Sequence, residues 1–391
     1  MRRHGSYAHV PSRRRPKATI EVGPRPPAEF FANWLLQTLR HGLPARRRGG
    51  PARALAVRSV RAWMVPKVLL QLFPRGKSTD LDALRAEIER EWSELVVRSA
   101  RLGARSGPLS IVALRRSASL SVFVFDESPV PLLIAKVPGD VGRLESEAEA
   151  LELAAEAGVA PRSLGRLGRA FLQEGVVGAP LAVAPVSPAS AVSLEWSAAH
   201  MAIAAAFVRL GVATATAARP EELVDPVSRA LESGLFSQRT AKAMLDSWEE
   251  IREIPASVLR HADASPQNCL VRGSEFGGIV DWENARRRGA PGFDLWNLML
   301  AVIEHGVGLR RWNEDRVVDA FRAAWLGSEF VARARSAARD ACLAGGVPPA
   351  CLDAYERVFF ARRLGQRLAR PDAWAVGPRG VARMVEIVCG R

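Results

Sequence analysis

Three polar side chains close together in the chain could hold a metal ion and move a proton: Asp263, Asn268 and Asp281. Asp263 lies in a segment of Ala, Ser and Pro, which predicts a loop. Asn268 precedes one short apolar run and Asp281 follows another. An amide oxygen and a carboxylate suit a hard cation such as Mg²⁺, which proteins hold with one or two groups plus substrate phosphates. A loop carboxylate beside such a centre can orient a hydroxyl group and accept its proton, so the pattern indicates phosphoryl transfer.

Two apolar runs must bring these side chains together. Residues 269–271 and 278–280 flank a segment rich in turn residues, 272–277, and this pattern predicts a β-hairpin. We expect residue 271 to pair near 278, 270 near 279 and 269 near 280. One further step along the ladder puts Asn268 beside Asp281 at the open end of the hairpin. An ordinary hairpin with polar ends is the alternative.

The same stretch resembles the catalytic loop and metal motif of the aminoglycoside phosphotransferase family, whose members are small-molecule kinases with the protein-kinase fold. The resemblance lies in three motifs: His261-x-Asp263-x-x-x-x-Asn268, Asp281-Trp282-Glu283 and Gly289-x-Pro291-x-x-Asp294-Leu295. One motif alone is a weak signal, but three in the right order are much more specific.

The resemblance implies roles for five residues, a fold and two cofactors. Asp263 would be the catalytic base, Asn268 and Asp281 would bind Mg²⁺, and the phosphate donor would be ATP. His261 and Asp294 would brace the loop. The implied fold is α+β and bilobal, protein-kinase-like, with a small antiparallel-sheet N-lobe and a mainly helical C-lobe.

Upstream, short apolar runs predict three antiparallel strands, at residues 111–114, 120–125 and 132–137. The third run contains Lys136, whose burial would cost free energy unless it is paired. A helix predicted over residues 143–157 offers Glu147 beside its apolar face. We expect an ion pair between the two, which in the kinase template holds nucleotide phosphates. A surface lysine and a boundary residue of a solvated acidic helix are the alternatives.

The run at residues 170–176 resembles the family's hinge between the lobes. By that resemblance, backbone groups near Gln173, Glu174 and Val176 would bind adenine. The physical support is that an edge strand leaving a sheet offers free amides.

Two positions depart from the family pattern. The turn at residues 115–119 has no glycine, although backbone contact with phosphates is easiest over glycine. Ser117, Ser119 or Arg116 would have to contact phosphate instead. Ala262 stands where the family usually has glycine, and it costs little unless its φ is positive.

Charge is uneven along the 391 residues. The formal net charge is +14, and residues 1–50 hold eleven Lys or Arg and two acids, so nine of these charges lie there. Residues 1–27, rich in Arg and Pro, are predicted to be disordered. Residues 28–105 are predicted to be a helical extension, with Asp80 capping a helix that runs through Leu95. We expect the extension to pack on the kinase core, and a weak contact with an anionic membrane surface is the alternative.

The C-lobe is predicted to be helical apart from the hairpin. Helices are expected over residues 194–212, 221–233, 238–253, 295–304, 315–326, 331–343, 351–369 and 378–388. The predicted domains are an N-lobe at 106–178 and a C-lobe at 179–391. Trp296, Trp312 and Trp325 are expected in the core rather than stacked on a sugar ring.

Composition argues against several other classes. No apolar stretch predicts a transmembrane helix, since residues 198–218 are interrupted by His200 and Arg209. No apolar segment follows the basic N-terminus, so no signal peptide is expected. The four cysteines lack CxxC spacing, which argues against a zinc site or disulfides and favours a cytoplasmic location.

The combined prediction is an ATP- and Mg²⁺-dependent phosphotransferase that acts on a hydroxyl of a small molecule, such as a sugar or amino alcohol. A polycationic aminoglycoside is not implied, because it needs an acidic groove and the chain outside the tail is slightly basic. A pseudokinase or scaffold, whose basic extension binds a membrane or a protein, is the main alternative. Nucleic-acid binding by the arginine tail rests on charge alone, and no specific nucleic acid is expected.

Overall fold

The computed structural model describes residues 19–22, 79–99, 101–104, 109–116, 119–126, 130–137, 141–183, 191–223, 227–307, 314–369 and 376–390. The helices predicted before residue 79 lie outside these ranges. So do Trp312 and Ser117, the residue at the centre of the glycine-free turn.

Within the described residues, a six-stranded antiparallel sheet forms the smaller part of the fold. Its strands are β1 (Thr19–Val22), β2 (Ser110–Arg116), β3 (Ser119–Phe125), β4 (Leu133–Val137), β5 (Ser163–Leu167) and β6 (Ala170–Glu174), in the order β1-β2-β3-β4-β6-β5. Val122, Val124, Leu133 and Ala135 are fully buried, as the two-residue period of a strand predicts for one face. The three strands predicted from the sequence are confirmed as β2, β3 and β4.

Two strands differ from the sequence prediction. Thr19–Val22 falls in the segment predicted to be disordered, yet it pairs antiparallel with β2, placing Ile20 opposite Leu114. The edge of a sheet offers unpaired backbone groups that such a segment can bond. β6 is not the expected edge strand, because it lies between β4 and β5. The sequence predicts no strand at 163–167, and β5 covers that edge.

Helices α1 (Thr79–Arg90) and α2 (Trp92–Arg98) cover one face of the sheet. Ile88, Trp92 and Leu95 share an apolar core cluster with the sheet, at the spacing that puts residues on one helix face. The prediction that the extension packs on the core is therefore confirmed for this part. The prediction of one helix capped by Asp80 is wrong, because α1 begins before Asp80 and ends at Arg90.

Helix α3 (Val141–Glu156) joins the sheet to the rest of the molecule, and its bounds agree with the prediction. Leu151 and Ala154 are buried in the large apolar core cluster of the helical part. Glu145, Glu149 and Glu152 are exposed, as their helical positions predict. The helix also contacts the short 3₁₀ turn Trp282–Asn284, so it reaches the segment that follows the hairpin.

The larger part of the described chain is helical, and the predicted helices are largely confirmed. Its helices are α4 (Ala198–Thr214), α5 (Ser228–Glu232), α6 (Gln238–Ile251), α7 (Phe293–Gly306), α8 (Glu314–Gly327), α9 (Glu329–Ala344), α10 (Leu352–Ala369) and α11 (Pro378–Cys389). The predicted helix at 221–233 is instead the 3₁₀ turn Glu221–Leu223 followed by the short α5. Further 3₁₀ turns are Ala191–Ser193 and Pro349–Cys351.

Five short strands lie among these helices. Strand β7 (Ala179–Pro180) pairs with β9 (Cys269–Arg272), which pairs with β10 (Glu275–Ile279). Strand β8 (Val258–Arg260) pairs with β11 (Arg286–Gly289). The chain has left the large sheet by Ala179, and the domain boundaries proposed from the sequence stay predictions.

Aromatic rings fill the core of the helical part. Trp296 packs with Phe293 and Phe359, and Trp325 packs with Phe321 and Phe360. Both tryptophans are buried, which confirms the prediction that they are core residues. The fold is α+β, with a small antiparallel sheet and a mainly helical remainder, as predicted.

None of the described helices combines the length and apolar character that crossing a membrane requires. All four cysteines, Cys269, Cys342, Cys351 and Cys389, are free thiols. Three of them are buried.

Candidate active site

The predicted hairpin is present, but the predicted register is wrong. Residue 271 lies opposite 276, 270 opposite 278 and 269 opposite 279, so Gly277 is a bulge. A side chain at Gly277 would meet the carbonyl oxygens of Leu270 and Val177 at 3.0 Å. The predicted register assumed a longer turn and no bulge. One step further, the Val280 N–H donates to the Asn268 carbonyl at 2.9 Å, so Asn268 faces Val280 and Asp281 lies one residue beyond.

Asp281 lies where the chain leaves the hairpin. Its backbone is left-handed, with φ 70° and ψ 60°, a conformation that Asp adopts more readily than most L-residues. The next residue, Trp282, is buried and donates from Nε1 to the Ile279 carbonyl at 2.9 Å. This tight turn directs the Asp281 carboxylate back to the sheet, where Oδ1 accepts a hydrogen bond from Lys136 Nζ at 3.3 Å.

The predicted contact between Lys136 and Glu147 is confirmed. Lys136 Nζ on β4 contacts Glu147 Oε1 on α3 as well as Asp281. Burial alone would lower the pKa of Lys136, but the charges of Asp281 and Glu147 outweigh it and raise that pKa. The lysine is therefore charged, and it joins the sheet, α3 and the hairpin at one point.

The loop that carries Asp263 is held by hydrogen bonds on both sides. Asp294 accepts from the N–H of His261 at 2.7 Å and of Ala262 at 2.9 Å. The buried His261 donates from Nε2 to the Val280 carbonyl at 2.9 Å and accepts from the Asp263 N–H at 3.3 Å. Burial lowers the pKa of His261, so the ring is neutral. His261 and Asp294 thus contact the loop as expected, and their effect on activity stays a prediction.

Ala262 is the strained position of this loop. Its φ is +62°, and a left-handed conformation costs an L-residue about 1–2 kcal/mol. Alanine at this position was expected to cost little unless its φ is positive, and its φ is positive. Such strain persists where surrounding contacts over-determine the backbone, and here Asp294 holds the amides of both His261 and Ala262.

Asp263 is partly buried beside Asn268. Asn268 Nδ2 donates to the Asp263 carbonyl oxygen at 2.9 Å and lies 3.4 Å from Asp263 Oδ2. Burial, with the charges of Asp281 and Glu283, raises the pKa of Asp263 to about 6. A carboxyl with this pKa is mostly ionised at neutral pH and still takes up a proton readily, which is what a general base requires.

The donor set fits a divalent cation. Asn268 uses Nδ2 on Asp263, which leaves its Oδ1, a hard oxygen, for a cation. Asp263, Asp281 and Glu283 interact electrostatically and concentrate negative charge. The described residues contain no group of three or more His, Cys, Asp or Glu arranged around a metal. A cation here would therefore take further oxygens from a substrate phosphate or water, as Mg²⁺ usually does.

The comparison with protein families decides the class of this site. A family model described as the phosphotransferase enzyme family, APH, matches residues 110–339. This match spans more than half of the chain and runs from β2 into α9. The chain belongs to this phosphotransferase family. The predicted enzyme class, a small-molecule phosphotransferase, and the resemblance stated from the motifs are thereby confirmed.

Solved structures similar to this chain come from small-molecule kinases. A choline/ethanolamine kinase family protein from Mesorhizobium loti is 18% identical, with a TM-score of 0.38 over 78% of this chain and 94% of that one. A macrolide 2′-phosphotransferase from Brachybacterium faecium is 16% identical, TM-score 0.38, over 79% and 98%. A choline kinase from Cryptosporidium parvum is 12% identical, TM-score 0.43, over 76% and 94%.

These similarities are too low to carry an argument about function. A comparison with curated proteins gives no match. The family assignment therefore rests on the family match.

In the segment of this phosphotransferase that was predicted to bind adenine, some backbone amides already donate hydrogen bonds within the protein. The Glu174 N–H donates to the Arg162 carbonyl at 2.9 Å, and the Gly175 N–H donates to the Leu132 carbonyl at 2.8 Å. Gln173 and Glu174 are buried in β6, which has a partner strand on each side. The expectation of free amides on an edge strand is therefore wrong for Gln173 and Glu174. Val176, which follows the strand, stays a candidate.

Sequence reasoning missed two residues that the phosphotransferase loop depends on. Arg260 precedes His261 and contacts Asp294 and Glu222 with its guanidinium. Glu222 lies in the 3₁₀ turn Glu221–Leu223. Arg260 could have been found from its position, because it is a charged residue at the end of the apolar run before His261. Nothing in the sequence around Glu222 distinguishes it from a solvated acid.

Proposed function

We propose that this phosphotransferase moves the γ-phosphate of ATP to a hydroxyl of a small molecule in a Mg²⁺-dependent reaction. The observation that carries the proposal is the double contact of Lys136. Its Nζ contacts Glu147 from α3 and Asp281 from the hairpin, and the charge of Asp281 also acts on Asp263. Lys136, Asp281 and Asp263 are thus neighbours, which supports their proposed roles as phosphate-binding cation, metal ligand and base, because phosphoryl transfer requires these groups close together.

Lys136 has the role of orienting the nucleotide phosphates. Its ammonium contacts two carboxylates, and triphosphate oxygens are a chemically similar replacement for one of them. Glu147 holds the lysine ammonium in place, as in the kinase template. The backbone of Val176, at the end of β6, is the remaining candidate for adenine.

Asn268 and Asp281 would hold the magnesium ion. When bound, the ion supplies positive charge that offsets the charge developing on the transferred phosphoryl group. The Asn268 side chain is oriented for this by its hydrogen bond to the Asp263 carbonyl. That bond also couples the metal ligand to the residue that acts on the acceptor.

Asp263 orients the acceptor hydroxyl and takes its proton. The acceptor oxygen bonds to the γ-phosphorus, the bond to the β,γ-bridging oxygen breaks, ADP leaves and the hydroxyl proton moves to Asp263. The pKa of Asp263, raised to about 6 by burial and neighbouring charges, suits this transfer near neutral pH. Positioning supplies most of the rate in such reactions, so the braced loop is part of the chemistry.

The acceptor is proposed to be a neutral or anionic metabolite, such as a sugar or an amino alcohol. Residues 51–391 keep five of the fourteen net positive charges, which does not favour a polycationic acceptor. A cytoplasmic location, where ATP is abundant, is supported by the four free cysteines.

The test is an acceptor screen with paired variants. Wild-type protein, ATP and Mg²⁺ are incubated with a library of hydroxyl-bearing metabolites, and phosphorylated products are measured by mass spectrometry. For a substrate found in this way, Asp263→Asn should lower kcat by about 10²–10⁴-fold. Asp246→Asn, an exposed aspartate paired with Lys242, is the matched control and should not change kcat. Normal turnover by Asp263→Asn would exclude Asp263 as the base.

A further inference from the structure

Glu222 is a buried carboxylate outside every motif of the sequence, and it contacts two arginines and one backbone amide. Both of its oxygens accept from Arg260 Nη1 at 2.6 Å. Arg362 Nη2 on α10 lies 2.9 Å away, and the Ala290 N–H donates to it at 2.7 Å. Its side chain is 5% exposed. Burial alone would raise the pKa of Glu222, but Arg260 and Arg362 outweigh it and lower that pKa, so the group is charged.

The contacts of Glu222 lead directly to the loop that carries Asp263. Arg260, bonded to Glu222 through Nη1, donates from Nε to Asp294 Oδ1 at 3.1 Å. Asp294 in turn accepts from the amides of His261 and Ala262. Three successive contacts therefore connect Glu222 to the two residues that precede Asp263, one of which has the strained backbone.

Arg260 needs both acids to keep its orientation. Its guanidinium carbon lies 5.4 Å from the centre of the Phe293 ring, so the group is fixed between one aromatic face and two carboxylates. A side chain at Gly289 would lie 2.5 Å from Arg260 Cβ, so the glycine of the third motif makes room for this arginine. If the buried guanidinium lost one of its two anions, its charge would be only partly compensated, and its present position would become unfavourable.

The same 3₁₀ turn contains a matched residue with a different environment. Glu221 pairs with Arg288 at 3.1 Å, and the two side chains are 45% and 56% exposed. Such a surface pair contributes little. Two adjacent glutamates therefore differ in burial and in what they contact, and only Glu222 is connected to the loop.

We propose that Glu222 is a positioning residue, which acts through Arg260 and Asp294 to hold the backbone of residues 261–263 in the conformation that presents Asp263. The proposal rests on the proposed function of Asp263 for its effect on turnover. Its effect on the loop backbone does not depend on that function. Glu222 contacts Arg260, Arg362 and the Ala290 amide, none of which is proposed to bind the nucleotide or the acceptor. Its loss should therefore act on kcat and leave nucleotide affinity unchanged.

The experiment compares Glu222→Gln, Glu222→Asp and Glu221→Gln by hydrogen–deuterium exchange of the full chain. In Glu222→Gln, the amides of residues 261–263 should exchange at least tenfold faster, while amides in α7 and α10 exchange as in wild type. Glu222→Asp keeps the charge on a shorter side chain and should be intermediate. Glu221→Gln should match wild type. Exchange that rises equally throughout the molecule would show a general stability role and overturn the proposal.

Turnover of an identified acceptor provides the second readout. Glu222→Gln should lower kcat by roughly tenfold to hundredfold, the effect of a displacement of about 1 Å at a reacting group. Its dissociation constant for ATP should stay within twofold of wild type. Unchanged kcat together with unchanged exchange would also overturn the proposal. If wild type phosphorylates no acceptor, the proposed function fails, but the exchange result still decides the role of Glu222. Should Glu222→Gln not fold, Glu222→Asp gives the same two readouts.

Discussion

Two clusters in this molecule each place one cation between two carboxylates and differ in burial, and in the second Arg362 also pairs with one of the carboxylates. Lys136 lies between Glu147 and Asp281, with side chains that are 17%, 8% and 31% exposed. Arg260 lies between Glu222 and Asp294, with side chains that are 4%, 5% and 5% exposed. In the first, the open cluster, we propose that an incoming phosphate replaces one carboxylate. The second, the closed cluster, is buried and holds backbone amides in place through Asp294.

The choice of cation follows the same division. A lysine ammonium is a compact charge on a flexible stem that can change partners, whereas the planar guanidinium of arginine binds carboxylates in a fixed geometry. Lys136 is therefore suited to a site where one of its partners is replaced by a substrate phosphate, as proposed above. Arg260 is suited to a permanent support, and the backbone amides of residues 261 and 262 depend on it through Asp294.

The largest expected difference between the clusters is the loss of stability when the cation is removed from each. Arg260→Met leaves the buried Asp294 without this cation and Glu222 with Arg362 alone, and it should lower the free energy of unfolding by about 3–5 kcal/mol. Lys136→Met should cost no more than about 2 kcal/mol, because Asp281 is partly exposed to water and burial already raises the pKa of Glu147. Urea unfolding measures both, with the exposed Lys242→Met as control. Equal costs for the two variants would contradict the distinction.

For nucleotide affinity the order should be reversed: a change in the open cluster should have a large effect and a change in the closed cluster should have none. Lys136→Met should weaken ATP binding by about 1.5–3 kcal/mol, the range for a hydrogen bond to a charged group. Glu222→Gln, in the closed cluster, should leave it unchanged within twofold. Isothermal titration calorimetry at saturating Mg²⁺ gives both values. An ATP affinity that falls in Glu222→Gln as much as in Lys136→Met would mean that the closed cluster also reaches the nucleotide.

The pH dependence of stability tests whether the acids beside the open cluster raise the pKa of Asp263. The folded pKa of Asp263, about 6, lies above its ordinary value of 3.8. Folding therefore raises the proton affinity of Asp263. The contribution of its protonated form to protein stability is fully present below about pH 4 and is lost as pH rises through about 6. Asp263→Asn does not titrate, so its stability relative to wild type should rise between pH 4 and pH 7, by about 2 kcal/mol. Urea unfolding at several pH values measures this, and a pH-independent difference would refute the raised pKa.

The smallest expected effect concerns the strained loop that the closed cluster supports. Ala262 has φ +62°, and glycine removes the cost of that conformation but adds conformational entropy to the unfolded chain. Ala262→Gly should therefore stabilise the protein by a net amount of at most about 1 kcal/mol, seen as a small rise in Tm. The amide of residue 262 should exchange faster at the same time, because glycine has more backbone freedom than alanine. A clear loss of stability would indicate that the loop is not strained.

Much of this arrangement could be predicted from the sequence. Local periodicity gave strands β2 to β4, α3 and most of the C-terminal helices, because these elements bury one regular face. Spacing and resemblance brought together Lys136, Glu147, Asp263, Asn268 and Asp281. The contact between Lys136 and Asp281 was not predicted, because it depends on how the hairpin packs against α3.

The remaining features depend on contacts that local sequence does not contain. The hairpin register differs from the prediction because the turn is shorter than expected, with Arg272 opposite Glu275, and because Gly277 forms a bulge. No rule of alternation reveals where a strand takes an extra residue. Strands β5, β8 and β11 were missed because they are short and polar in part, and they form through pairing with distant segments. Glu222 lies 38 residues before Arg260, and only the folded chain joins them.

The most direct test of the account measures how Mg²⁺ affects ATP binding, since this needs no acceptor. Titration calorimetry with and without Mg²⁺ is performed on wild type, Asp281→Asn and Asp263→Asn. We predict that Mg²⁺ strengthens ATP binding in wild type and Asp263→Asn, and that this gain is lost in Asp281→Asn. A gain from Mg²⁺ that is as large in Asp281→Asn as in wild type would contradict a metal–triphosphate centre at the end of the hairpin.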